Sequence, residues 1–388
     1  MSSLERLRSR PYAVFFPLGV ALSWAGVGHW LLFGLGVSTE YRSIFHAMTQ
    51  VQGFLTCFAA GFLTTMLPRR TRSPEPTVAF IAVCAMAPIA ISIAAWREAW
   101  IASQLAWLTL VVALMVFVLR RIGTELGARR PPHSFVWIPA ALGFGLLGSI
   151  ATAVGAALGP DYWGLHELGR GLVLQGLFVG LVIGVGSFAV PLMTRGEAAS
   201  DAPPGISSAT VLHLLGIGLL LASFVVETWF SVRVGLALRG AVAATVLLLA
   251  GRLHRTPDRP GLLRWSIWIA AWCVPLGYAI AALSPWAVKG PLHVTFISGF
   301  GLLALSVSAQ VILGHGGYER LKAGRPWPLA IAFVALALAV VARVMMVARE
   351  ERLLLWTATA AALFLFATAC WAGFLVPKLL RDAPGEQS

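Results

Sequence analysis

Apolar residues in this chain come neither in strict alternation nor in short amphipathic periods. They come in long runs separated by brief clusters of arginine, proline and glycine. A helix rising 1.5 Å per residue needs about 20 apolar residues to cross a hydrocarbon core of about 30 Å. Twelve runs reach that length, at approximately 11–34, 43–67, 76–95, 100–119, 134–158, 167–193, 206–226, 234–251, 263–283, 291–314, 327–347 and 354–377. Within hydrocarbon the backbone must satisfy its own N–H and C=O groups, so each run is read as a transmembrane α-helix. The runs and their connections use up residues 1–388. The expected architecture is therefore all-α, a single polytopic integral membrane bundle of twelve helices.

Composition agrees with that reading. The 388 residues are 58% hydrophobic and 12% charged, with a mean hydropathy of +0.82, too little polar surface to cover a water-soluble globule of this size. The net charge of +13 does not point to nucleic acid, because the basic residues sit in short runs between apolar segments, without a continuous basic face or aromatic platform. It reads as topology instead, since Lys and Arg accumulate on the cytoplasmic side of short loops. With the N-terminus inside, 20 basic residues fall in inside segments, among them Arg69, Arg129, Arg255 and Arg381. Only 6 fall outside: Arg42, Arg97, Arg233, Lys289, Arg349 and Arg352. One missed crossing would invert every later loop, so this bias supports the helix count and places both termini in the cytoplasm. The opening basic stretch and its apolar run read as a first crossing, because the run is too long for a cleaved signal and has no small-residue cleavage site.

The chemistry-bearing residues sort by depth. Cys57, Cys84, Cys273 and Cys370 lie singly in four helices and form no CxxC pair. His133 and His254 fall in basic loops, and His213 early in the seventh helix. His29, His46, His166 and His293 all lie near the outer side, at helix ends, while His315 closes the tenth helix on the inner side. Ionisable groups at membrane depth are costly unless they face the bundle interior, so four outer histidines suggest a shared site. Residence in the headgroup region is the alternative. His293 and His315 are 22 residues apart, about 33 Å along a continuous helix, and cannot share one metal.

Two stretches resemble signatures of the NnrS family. FHAMTQVQGFLTCFAAGFLTTMLPRRT is similar to its second-helix pattern, with His46, Ala47, Gly53, Phe54, Gly61, Phe62, Leu63, Thr65, Pro68 and Thr71 in place. PLHVTFISGFGLLALSVSAQVILGHGG is similar to its tenth-helix pattern, with His293, Gly301, Val307, Leu313, Gly314, His315 and Gly317 in register. Weaker matches are Gly277-Tyr278, Gly186 with Pro191 and Thr194, and Arg343. The chain departs from the family at Met48 and Pro275, where the pattern has histidines, at Thr49, where it has glutamate, and at Gln310, where it has arginine.

The resemblance implies a bacterial inner-membrane protein of the nitric oxide and nitrosative stress response that contains haem and copper. Axial imidazoles from facing helices make His46 and His293 the expected haem pair, with His315 and Arg343 as further cofactor-binding candidates. Met48 is a Cu(I) candidate only if the second helix has not begun at that point, because residues i and i+2 of a helix diverge. Gly53, Gly61, Gly299 and Gly301 would leave room for a planar group, or would serve helix contact. Arg170, Arg239 and Arg343 lie in outer helix halves and would pair with an anion or snorkel, the latter expected for Arg239. The expected partners are the bilayer, haem and nitric oxide, with no nucleic acid. A twelve-helix secondary transporter of a small solute and a structural role after loss of the metal site are the alternatives.

The loop bias makes a direct prediction: a topology reporter fused at Arg255 is cytoplasmic and one at Lys289 periplasmic. The reverse result at either position would overturn the helix count.

Overall fold

The computed structural model describes residues 3–123, 126–198, 200–202, 205 and 207–379, so Arg381 lies outside the described residues. After a short helix, Ser3–Ser9, twelve helices are long and apolar enough to cross a membrane. They are α1 (Tyr12–Gly34), α2 (Ser43–Thr71), α3 (Val78–Trp96), α4 (Trp100–Ile122), α5 (His133–Leu158), α6 (Pro160–Arg195), α7 (Ser208–Trp229), α8 (Val232–Leu249), α9 (Leu262–Leu283), α10 (Lys289–His315), α11 (Trp327–Ala348) and α12 (Leu353–Leu379). No strand occurs among the described residues. All twelve expected runs are present. The largest shift is at the start of α6, which begins at Pro160, so that Asp161 and His166 already belong to the helix. Hydroxyl side chains fix three starts: Thr77, Ser207 and Ser231 accept from the amides of Phe80, Thr210 and Val234.

The helices form three successive sets of four. α2 packs on α1, α3 and α4; α6 on α5, α7 and α8; α10 on α9, α11 and α12. The contacts α4–α5, α8–α9 and α12–α1 close the ring. Each set has an even number of crossings, so α2, α6 and α10 run in the same direction. α2 and α6 are the most enclosed, with 89% of their apolar windows buried against 22% for α7. Side chains such as Ile101, Leu212, Leu215 and Val334 are exposed on the outer ring, a surface that only lipid can cover.

Each inner helix carries a widened, π-helical segment: Thr49–Leu55 in α2, Leu172–Gly176 in α6 and Val294–Gly301 in α10. In α2 the Thr56 hydroxyl follows the altered ladder, donating to the carbonyl of Val51 at 2.7 Å. Such segments re-aim side chains, and they recur at functional sites. Here two of them begin directly beneath His46 and His293.

Loop contacts test the alternation of faces. The loop after α6 reaches α2 and the loop after α4 through Asp201, which accepts from Arg70 at 2.6 Å and Arg129 at 2.8 Å. It reaches the loop after α8 through Glu197, which pairs with Arg252 at 3.2 Å and Arg255 at 2.7 Å. Arg8 donates to the Pro76 carbonyl, and the Leu262 amide to the Gly324 carbonyl. These segments all share the face of the first helix, the N-terminal face, as the count of crossings requires.

The Asp201 clamp is electrostatic. Hydrogen bonds from Arg129 and then Arg70 hold its carboxyl below the ordinary value of 3.8. A carboxyl depressed in the folded state adds stability that is complete above its unfolded pKa and is lost as pH falls through the folded one. Asp201→Asn should therefore lower the melting temperature at pH 7, and its difference from the parent should close as pH falls below 3.8. An equal difference at neutral and strongly acidic pH would refute the clamp.

Candidate functional site

On the face opposite the N-terminal one, α2 and α10 carry the two family histidines, beside α1 and α11. The His46 ring donates from Nδ1 to the Gly26 carbonyl of α1 at 3.0 Å. The His293 ring donates from Nδ1 to the Lys289 carbonyl one turn back at 2.5 Å. Both bonds fix the same tautomer and leave Nε2 as the basic nitrogen. The two imidazoles lie within electrostatic range of one another and of Arg343. Each is partly buried, and Trp30 meets the His46 ring edge-on at 5.6 Å.

Gly26 makes the approach of α2 to α1 feasible. A Cβ there would stand 2.6 Å from Gln50 Nε2, which would have to swing aside, and 3.2 Å from Thr49, which would have to give by a few tenths of an ångström. Gly26 and Trp30 escape sequence reading because a glycine and a tryptophan in a membrane helix are unremarkable by composition.

Arg343 supplies the positive charge. Its guanidinium donates to His293 Nε2 at 3.0 Å and contacts Met346 Sδ at 3.3 Å, while its Nε is buried with no hydrogen-bond partner. Among the described residues no carboxylate pairs with it. An unneutralised guanidinium at this depth, an orphaned N–H and two fixed imidazoles suit a ligand that combines a metal with peripheral carboxylates. Those residues fit haem.

The remaining candidates lie elsewhere or are otherwise engaged. His166 does not join the site; it donates to the Thr152 carbonyl at 3.1 Å and stacks on Trp163 at 4.5 Å, between α5 and α6. His29 is close by, and a backbone amide, that of Arg42, donates to its Nε2 at 3.1 Å, whereas the donor on His293 Nε2 is the Arg343 side chain, which would have to turn aside for that nitrogen to hold a metal. His315 lies at the N-terminal face against Arg69, stacked on Tyr12 at 5.4 Å, and is not brought to the His46 site. Helix α2 has begun by Ser43, so Met48 points away from His46 into the core, where it is 7% exposed. Among the described residues no group of three or more His, Cys, Asp or Glu comes together. Gly61 and Gly299 serve helix contact, their missing Cβ atoms facing Phe16 and Val274 at 2.8 Å.

Arg239 does not snorkel. It is fully buried, donating to Ser223 at 3.3 Å, Gln175 at 2.8 Å and Glu227 at 2.5 Å, with Phe224 stacked 3.5 Å from its guanidinium carbon. This group ties α6, α7 and α8 together. Arg170 pairs with Glu167 at 2.5 Å in the exposed first turns of α6.

Fold and site together define a polytopic membrane helical bundle with paired imidazoles at the ends of two inner helices. The chain belongs to the NnrS family, whose family model, described as NnrS protein, matches residues 6–382. No curated protein matches it.

Breaking a buried ion pair from one side leaves an uncompensated charge and costs about 3–5 kcal/mol. Glu227→Gln should be milder than Glu227→Ala, because the amide still accepts from Arg239, and the double change Arg239→Met, Glu227→Gln should recover much of the loss of Glu227→Ala. Thermal unfolding in detergent measures all three; a double variant no more stable than Glu227→Ala would refute this account of the pair.

Proposed function

We propose that this NnrS-family protein binds haem through His46 and His293 and acts in the nitric oxide and nitrosative stress response, in a bacterial cytoplasmic membrane with its N-terminal face inside. The reading is supported above all by two imidazoles anchored through Nδ1 to the Gly26 and Lys289 carbonyls, beside an arginine with no carboxylate.

The chain's own residues divide the work. Gly26 and Lys289 hold the ring tautomers, which keeps Nε2 neutral and basic. Arg343 provides charge for a carboxylate group, and the Trp30 and Phe45 rings exclude water from the α1 side. Haem, when bound, supplies an iron able to take a gaseous ligand or exchange one electron.

A visible spectrum tests the pair. The purified protein should show a Soret band, and His46→Ala and His293→Ala should each abolish most of it in membranes that still hold full-length protein. Arg343→Met should weaken haem retention by about tenfold, the lower range for loss of a supporting contact. A wild-type band in both histidine variants overturns the pair. Loss of the band in His315→Ala but not in His293→Ala would move the site to the N-terminal face. Absence of haem from the parent would return the transporter reading.

A further inference from the structure

Beneath the histidine pair, α2, α6 and α10 do not close on one another. Between them lies a partly open cavity of about 100 Å³. Phe58 and Phe62 of α2, Phe178 of α6 and Phe300 of α10 form its walls, and Phe16 of α1 fills one side. The Phe178 and Phe300 rings, 5.9 Å apart, meet at its end nearer the histidines. Toward the N-terminal face, Gln310 Nε2 donates to the Met193 carbonyl at 3.2 Å and joins α10 to α6.

The lining decides what can enter. Its one polar side chain among the described residues is Ser308, whose hydroxyl donates to the Leu305 carbonyl at 3.0 Å. A water held in a protein interior needs two to four polar partners, and this cavity does not offer them. Apolar cavities of comparable size, roughly 150 Å³, stay dry and take xenon or benzene. The cavity's position within the bilayer also matters, because apolar gases dissolve in hydrocarbon and reach the bundle without crossing a polar barrier. Phe300 lies seven residues beyond His293 in α10, about 10 Å along the helix.

We propose that this central cavity is a binding site for one small apolar molecule, held one step below the histidine pair. Identifying that molecule as nitric oxide rests on the function proposed above; the cavity's choice of a small apolar guest does not. Ala304, which also lines the space, sets its free volume, and a larger side chain there occupies the guest's place.

Xenon is the probe, because it is apolar, of suitable size and indifferent to haem. Crystals of the full-length protein under xenon pressure should show anomalous density between Phe58, Phe178 and Ala304. Ala304→Leu should lose that density at the same pressure. The parent experiment stands alone if the variant does not fold. Absence of xenon from the cavity of the parent, or its retention in a folded Ala304→Leu protein, overturns the inference. Xenon in the cavity of a protein that shows no Soret band would overturn the haem proposal and leave this one intact, whereas a Soret band without cavity xenon would do the reverse.

Discussion

Hydrocarbon offers a polar atom no hydrogen-bond partner, and most of what is specific in this bundle follows from that. Buried hydroxyls turn back on their own helices: Thr64 donates to the Ala60 carbonyl, Ser187 to Ile183 and Thr194 to Val190. Arg239 shows the constraint met in full, with three side-chain acceptors drawn from three positions in the second set of helices and an aromatic face against its guanidinium. Arg343 shows it half met. It has one imidazole and one thioether, and an Nε with nothing to bond. Two arginines at similar depth thus do different things: one locks helices together, the other keeps a charge in reserve beside the histidines.

The arrangement of helices determines where that reserve lies. α2 and α10 occupy the same place in their sets of four, run in the same direction and carry their histidines at the same end. They are second helices of parallel sets, unlike the inverted repeats common among transporters. π-helical segments begin just past both histidines, so the backbone changes register between the site and the central cavity. α6 has the same kind of segment but no histidine near the site, since His166 is occupied by Thr152 and Trp163.

Charge acts at the rim. On the N-terminal face two carboxylates, Asp201 and Glu197, gather arginines from α2 and from the loops after α4, α6 and α8. Exposed pairs of this kind contribute little stability each. Their value is in registering loops that hydrophobic packing leaves free, on the face with most of the chain's basic residues.

The hydrophobic pattern alone determined the number of helices, their approximate ends and the alternation of faces, because crossing a bilayer takes a fixed length of apolar chain whatever its neighbours do. It also marked His46, His293 and Arg343, since charged or imidazole groups stand out against an apolar background. It could not say which histidines meet. His166 and His29 had the same depth and residue type, and only the packing of α5 and the turn at Arg42 engaged their nitrogens elsewhere. Met48 was decided by the start of α2, Arg239 by Glu227 arriving from α7, and the glycines by which helix came to lie against them. The π-helical segments and the central cavity left no trace in periodicity. Depth is a one-dimensional property that a single chain carries by itself, whereas a hydrogen bond or a void depends on two or more helices meeting at a particular rotation, and only the packed bundle sets that rotation.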